Sequence, residues 1–202
     1  RPIYQQCQRA CATRPYTKNN NLFYIMFIQS IQTHCTLDYS EQDLHWLEYA
    51  LTLAEKAETI GEIPVGAVVI DKDGNKIGEG WNQSILLNDP TAHAEMLAIR
   101  QAGEHTQNYR LLDCTLYVTL EPCTMCAGAI LHSRIGRLVF GASDYKTGAI
   151  GSRFHLFEDF KMNHLLEIHG GVLREKCSQK MSAFFKKRRL EQKQSKETKK
   201  EE

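Results

Sequence analysis

The chain has 202 residues, 42% hydrophobic and 24% charged, a composition typical of a folded globular domain rather than a disordered or fibrous protein. Its longest apolar stretch, LFYIMFI at 22–28, is far shorter than the roughly 18 residues that a membrane-spanning helix needs, so we expect no membrane association. The 7 cysteines are odd in number and lack the spacing of a disulfide-bonded scaffold, which favours a reducing compartment, the cytoplasm.

The formal net charge of +1 hides an uneven distribution. Residues 174–202 carry 11 Lys and Arg against 5 Asp and Glu, whereas residues 38–173 carry 10 against 19. A basic C-terminal segment on an acidic body suggests a polyanionic partner bound through that segment. The alternative is a helix whose charged face is simply solvated.

Residues 1–37 contain no acidic residue and show no sustained hydrophobic periodicity. We exclude them from the fold as a poorly ordered or non-native N-terminal extension. They could be a presequence, an unstructured extension, or upstream reading frame ahead of a start at Met26.

From Ser40 onward the apolar pattern changes regularly between helical and strand periods. Ser40, with Asp43 three residues later, forms a weak capping box that opens an amphipathic helix over 41–59. A hairpin and then alternating helices and strands follow: strands over 65–70, 76–82, 114–120 and 137–142, helices over 92–102 and from Pro122 to about Ser133, and a last helix from about Glu175 to Lys193. This order predicts an α/β domain with a mixed sheet over 38–190, followed by a disordered charged tail over 191–202.

Two short stretches carry candidate metal ligands, and each follows a proline that marks a helix start. PTAHAE contains His93 and Glu95, and EPCTMC contains Cys123 and Cys126. Cysteines three apart lie on one face of a helix, and in its first turn the free N–H groups favour thiolate. Residues two apart point away from each other on a helix, so His93 and Glu95 serve one site only if it lies off the helix N-terminus.

We therefore expect two helix N-termini to face one zinc ion bound by His93, Cys123 and Cys126. Three protein ligands leave a fourth position for water, which is the arrangement of catalytic rather than structural zinc. Glu95 would then transfer protons during hydrolysis at an sp² carbon. A lone CxxC is more often structural or redox-active, and Cys114 could be a fourth ligand, although a cysteine in a buried strand is more typically a core residue.

The pair HAE and PCTMC is similar to the known signature of zinc-dependent nucleobase deaminases. The resemblance to the bacterial tRNA-specific adenosine deaminase family is closer and extends over about residues 40–190. It rests on seven blocks in order, two of which contain these motifs: IPVGAVVI, GEGWN, DPTAHAE, NYRLLD, TLYVTLEPCTMCAGAILHSRI, VFGASDYKTGA and MNH. The resemblance implies a cytidine-deaminase-like three-layer α/β/α sandwich with a C-terminal helix, one zinc ion per subunit, and a homodimer. It also implies hydrolytic conversion of adenosine to inosine at the wobble position of a tRNA anticodon, chiefly in arginine tRNA, with release of ammonia.

Carried over by position, the resemblance assigns zinc to His93, Cys123 and Cys126 and proton transfer to Glu95. It places Asn82 on the target base, and Asp144 and Lys146 on the anticodon loop. From the residues alone, Asn82 could equally satisfy its own loop, and Asp144 with Lys146 could serve an ordinary turn.

The last helix predicts both a buried and a charged face. Leu173, Cys177, Met181 and Phe184 recur at helical spacing and should pack onto the sheet. Phe185 could stack on an extruded base or belong to the core. The run KKRR covers most of a helical turn, so part of it must face outward, where cations contact RNA phosphates: Lys186, Lys187, Arg188 and Arg189.

Two other functions are also consistent with the sequence. The same chemistry could act on a free base or nucleotide, although a small ligand needs no cationic helix. The chain could instead be a non-catalytic RNA-binding protein with structural zinc. The small residues CAGA at 126–129 would suit either a dimer interface or tight packing within one subunit.

Overall fold

A computed structural model describes residues 39–159, 164 and 166–201. The predicted N-terminal extension, 1–37, lies outside these residues, as do the first two residues of the MNH block. The described elements, in chain order, are α1 (Glu41–Thr59), β1 (Gly66–Ile70), β2 (Lys76–Trp81), α2 (Ala94–Thr106), β3 (Thr115–Leu120), α3 (Thr124–His132), β4 (Arg137–Ala142), α4 (Leu156–Asp159), β5 (Glu167–Gly170) and α5 (Arg174–Glu201). Across these ranges no helix combines the length and apolar character needed to cross a membrane.

The five strands form one mixed sheet in the order β2-β1-β3-β4-β5. β1 is antiparallel to both β2 and β3, whereas β3, β4 and β5 are parallel. The predicted opening hairpin and mixed sheet are confirmed. β5 was not predicted, because it is only 4 residues long and partly exposed, and so lacks the apolar run that identifies a buried strand.

Helices cover both faces of the sheet, which confirms the predicted three-layer α/β/α sandwich. Alternate strand residues such as Val118 and Phe140 share a core cluster with Ala98 of α2 and Ile130 of α3. On the opposite face, α1 packs so closely on β1 that a Cβ added to Gly66 would lie 2.1 Å from an α1 carbonyl oxygen. α5 covers the same face, where Cys177 and Phe184 are buried as predicted.

Helix α2 lies directly on β2 with no side chain between the two backbones. A Cβ added to Gly80 would lie 2.4 Å from the carbonyl oxygen of Ala94, and one at Gly78 would lie 2.3 Å from that of Ala98. No residue larger than glycine fits at either position without a shift of the helix. This contact fixes where α2 begins relative to the edge of the sheet.

The N-terminus of α1 is held by a buried ionic network. Ser40 and Asp43 form the predicted capping box, and Asp43 also accepts hydrogen bonds from Arg137 at 2.6 and 3.0 Å and from Tyr117 at 3.0 Å. Burial alone would raise the pKa of Asp43, but the hydrogen bonds and charge of Arg137 outweigh it and lower the pKa to about 2. The network joins α1 to the middle of the sheet.

Helix α5 continues to Glu201, whereas the sequence predicted disorder from residue 191. Lys180 binds Glu58 of α1 at 3.0 Å and Glu55 at 3.3 Å, which holds the first half of α5 on the domain. Residues 191–198 are exposed, and pairs at helical spacing, such as Lys193 with Glu197 at 3.9 Å, favour the helix there.

Replacing Asp43 with Asn should lower the free energy of unfolding at neutral pH by about 2 kcal/mol, the value that follows from a pKa of about 2 against an ordinary 3.8. Because the folded-state pKa is depressed, this stabilisation is complete above pH ~4 and is lost as the pH falls towards ~2. Denaturant unfolding of wild type and variant between pH 2 and 7 measures it. The exposed Asp73→Asn is the control, and a difference between Asp43→Asn and wild type that does not shrink with acidification would contradict the assignment.

Candidate metal centre

Two helix N-termini converge at one edge of the sheet and bring three ligand side chains together. His93 is the N-cap of α2 and Cys123 is the N-cap of α3, and both have extended backbone angles. Neither side chain caps its own helix, so both are free to face the space between the helices. Cys126, in the first turn of α3, is fully buried. The predicted convergence of His93, Cys123 and Cys126 is confirmed.

The distances between the ligand atoms suit a tetrahedral metal site. Nδ1 of His93 lies 3.8 Å from Sγ of Cys123 and 3.6 Å from Sγ of Cys126, and all three atoms lie within 4.8 Å of one another. Tetrahedral zinc with ordinary bond lengths places a nitrogen and a sulfur ligand about 3.6 Å apart. The three side chains therefore fit zinc with little rearrangement.

The electrostatics of the cluster prepare it for a cation. The hydrogen bond from Cys126 is the largest influence on Cys123 and lowers the pKa of its thiol to about 4, which favours the thiolate form. The same hydrogen bond, with burial, raises the pKa of Cys126. Hydrogen bonding to Cys123 raises the pKa of His93. Two sulfurs and an imidazole nitrogen this close together form a donor set suited to a soft divalent cation, which binds cysteine as thiolate.

Glu95 lies in the first turn of α2, two residues after His93, and is 4% exposed. Burial raises its pKa above the ordinary value for a glutamate. The side chain interacts with Cys126 and with the charges of His93 and Cys123, which places it at the metal cluster. A carboxyl group with a raised pKa beside a candidate zinc is suited to proton transfer.

Asn82 follows β2 and is 8% exposed. Its Oδ1 accepts a hydrogen bond from the backbone N–H of Ala94 at 2.9 Å. The side chain therefore links the end of β2 to the first turn of α2, instead of satisfying its own loop. Because an N–H can only donate, the amide oxygen must face α2, and the amide nitrogen is left to point elsewhere.

Asp144 and Lys146 occupy the loop after β4, where the carboxylate of Asp144 serves its own turn. It accepts hydrogen bonds from the backbone N–H of Lys146 at 2.8 Å and of Thr147 at 3.3 Å, and from the Thr147 hydroxyl at 2.6 Å. Lys146 extends its ammonium group to 5.8 Å from the ring centroid of Phe185 on α5. The turn alternative for Asp144 thus has direct structural support, whereas Lys146 faces the basic helix.

Along α5 the aromatic and cationic residues divide between core and surface. Phe184 is buried, whereas Phe185 is 36% exposed and meets the edge of the Phe184 ring at a centroid distance of 5.5 Å. The four predicted phosphate-binding residues are all exposed: Lys186, Lys187, Arg188 and Arg189. The outward cationic surface predicted from KKRR is present.

Three further buried residues have structural contacts instead of metal-binding ones. Cys114 is buried in the core cluster, so it belongs to the core rather than to the metal. Two buried glutamates, not predicted from the sequence, each hold a loop by accepting backbone N–H groups. Glu62 accepts those of Ile85 and Leu86. Glu121 binds three in the loop after β4. For Glu121 the sequence signal is an acidic residue directly after the apolar strand β3, whereas Glu62, between α1 and β1, has no such signal.

Residues 40–142 match the cytidine and deoxycytidylate deaminase zinc-binding region. The tRNA-specific adenosine deaminase of Haemophilus influenzae is 70% identical over 154 residues, which cover 76% of this chain and 89% of that protein. The tRNA-specific adenosine deaminase of Buchnera aphidicola is 46% identical over 153 residues, covering 75% and 99%.

A solved structure from a study of A-to-I editing by tRNA deaminases at the wobble position of transfer RNA is 42% identical. The match covers 67% of this chain and 98% of that chain, with a TM-score of 0.65. The match to the zinc-binding region spans all three candidate ligands and Glu95, and the identities extend over most of the described domain. The chain therefore belongs to the tRNA-specific adenosine deaminases, within the cytidine and deoxycytidylate deaminase family.

Proposed function

We propose that this protein is a zinc-dependent hydrolase that converts adenosine to inosine at the wobble position of a tRNA anticodon, chiefly in arginine tRNA. The observation that carries the proposal is the convergence of one imidazole nitrogen and two sulfurs within 4.8 Å beside the buried Glu95. The similarity to tRNA-specific adenosine deaminases supports adenosine and tRNA as the substrate class.

His93, Cys123 and Cys126 would hold the zinc ion and leave a fourth position for a small ligand. When bound, zinc supplies Lewis acidity, which makes water a strong nucleophile at neutral pH. The protein keeps the three ligand atoms in place through two helix N-termini, so little rearrangement is needed.

Glu95 is the proposed acid and base of the reaction. Hydrolytic deamination needs a proton removed from water and a proton delivered to the departing amine, which leaves as ammonia. Burial raises the pKa of Glu95 above that of an exposed glutamate. Its place in the first turn of α2 fixes the carboxyl group relative to His93.

Asn82 is the proposed anchor of the target base. Its amide oxygen already accepts the N–H of Ala94, and this bond fixes the orientation of the side chain. The amide N–H₂ group is then free to donate to an acceptor on the purine. The bond thus couples base binding to the first turn of α2, which also carries Glu95.

The proposed RNA-binding surface joins the loop after β4 to helix α5. Lys186, Lys187, Arg188 and Arg189 are exposed and would contact phosphates, with Phe185 available for base stacking. Lys146 lies against Phe185, with Asp144 ordering the same turn. Extruding a base is least costly from a single-stranded loop, which suits an anticodon stem-loop better than a duplex.

We further propose a cytoplasmic homodimer, as the family resemblance suggests. Gly128 of α3 supports a partner at this surface, because a Cβ added to it would meet nothing within 4 Å, whereas Cys126 and Ala127 of the same small-residue run are buried inside the subunit. Packing inside the subunit therefore does not require a glycine there. Sedimentation equilibrium of the purified protein tests the dimer, and a monomer at micromolar concentration would contradict it.

Replacing Cys123 with Ala should abolish stoichiometric zinc binding, because one of three close ligands is lost. Cys114→Ala is the matched control, since Cys114 is a core cysteine outside the ligand cluster. Metal analysis of the purified variants should give about one zinc per chain for wild type and Cys114→Ala, and much less for Cys123→Ala. Equal zinc in all three proteins would overturn the ligand assignment.

Replacing Glu95 with Gln should leave zinc bound and reduce inosine formation by roughly 10²- to 10⁴-fold, the usual contribution of a general acid–base group. Mass spectrometry of a tRNA anticodon stem-loop after incubation measures inosine, and metal analysis measures zinc. A structural zinc site predicts little change in either quantity. Retained turnover in Glu95→Gln would therefore reject the catalytic assignment.

Replacing Lys186 and Lys187 together with Gln should weaken stem-loop binding and flatten its dependence on salt. Each lost phosphate contact should reduce the slope of log K against log salt concentration by about 0.7 for single-stranded RNA. Lys193 and Lys196, exposed further along the same helix, provide the matched double substitution. Unchanged binding in the first variant, or equal losses in both, would contradict a phosphate-binding surface at KKRR.

A further inference from the structure

A buried carboxylate joins the metal-binding segment to the loop after β4. Glu121, two residues before the candidate ligand Cys123, is 2% exposed. Its Oε2 accepts the backbone N–H of Asp144 at 3.1 Å, and its Oε1 accepts those of Ile150 at 2.9 Å and Ser152 at 3.0 Å. An ionised carboxylate only accepts hydrogen bonds, so this side chain is matched to a loop that presents three donors.

Backbone contacts reinforce the same junction. Ala149 donates its N–H to the carbonyl oxygen of Pro122 at 2.9 Å, and Gly148 forms an isolated bridge with Cys123. A Cβ added to Gly148 would lie 2.6 Å from the carboxyl carbon of Glu121, so the loop and the carboxylate are in direct contact. The 144–152 loop is therefore seated on the segment that carries one of the zinc ligands.

The same loop also contacts helix α5 through Lys146. The ammonium group of Lys146 lies 5.8 Å from the ring centroid of Phe185, within the range of a cation–π contact. Phe185 directly precedes the exposed cations at 186–189. The loop thus spans the distance between the metal-binding segment and the basic turn of α5.

We propose that Glu121 is a positioning residue for RNA recognition: it seats the 144–152 loop so that the metal cluster and the basic turn of α5 form one continuous substrate surface. The proposal rests on the proposed function and assigns it a residue that acts through the loop. Glu95 is held by α2, so loosening the loop should weaken substrate binding more than the chemical step.

Two substitutions remove the hydrogen-bond acceptors of Glu121 to different degrees. In Glu121→Gln, the amide oxygen can still accept from Ile150 and Ser152, but the amide nitrogen then faces the N–H of Asp144. In Glu121→Ala, all three N–H groups lose their acceptor. We expect KM for an anticodon stem-loop to rise about tenfold in Glu121→Gln and further in Glu121→Ala, with kcat changing about threefold or less.

Hydrogen exchange followed by mass spectrometry reports on the loop independently of activity. Peptides covering residues 144–152 should exchange faster in both variants, while peptides covering α2 should not change. Zinc content should remain at the wild-type level. Asp71→Asn is the matched control. Asp71 also holds a turn by accepting backbone hydrogen bonds from Asp73 and Asn75, but this turn follows β1 at the end of the sheet away from Glu121.

The outcomes separate the proposal from its alternatives. Unchanged KM in both Glu121 variants, or an equal rise in Asp71→Asn, overturns it. Loss of zinc in step with activity also overturns it, because Glu121 would then act on the metal ligands. If wild type forms no inosine from the stem-loop, the proposed function fails, but stem-loop affinity and loop exchange still test whether Glu121 orders an RNA-binding loop.

Discussion

The site depends on the direct contact between helix α2 and strand β2. Glycines at 78 and 80 let the helix backbone rest on the strand, and this brings the α2 N-terminus to the sheet edge where α3 also begins. His93 and Cys123 are the N-caps of these two helices. A side chain between α2 and β2 would displace His93 by more than the few tenths of an ångström that metal coordination tolerates.

Burial at this junction determines the charges that the site can hold. A glutamate and two cysteines would repel one another as anions in an apolar environment, and their mutual hydrogen bonding relieves this by keeping protons on some of them. A divalent cation relieves the same repulsion without those protons. Helix N-termini add partial positive charge at both ends of the cluster. A bound cation and the two helix N-termini would thus both stabilise the anionic forms of the glutamate and the two cysteines.

Regular elements and ligand spacing were predictable from sequence because each depends on local periodicity. The prolines predicted both helix starts to within two residues: the helices begin at Ala94 and Thr124, so His93 and Cys123 are N-caps instead of helical residues. The capping box at Ser40 was visible as two residues. β5 was missed because a short, half-exposed strand has no distinctive pattern, and its pairing with β4 is a long-range contact. Glu121 was missed because its partners lie 23 to 31 residues away in a loop.

The metal cluster and the loops that flank it are also positioned by different kinds of contact. The ligands and Glu95 stand on helices whose positions follow from backbone packing, whereas both loops beside them are held by single buried carboxylates, Glu62 and Glu121. A carboxylate that accepts several backbone N–H groups fixes a loop without fixing its outward side chains. Sequence changes in Ile85 or Lys146 can therefore alter what the loops contact while the anchors, and the metal cluster beneath them, stay in place.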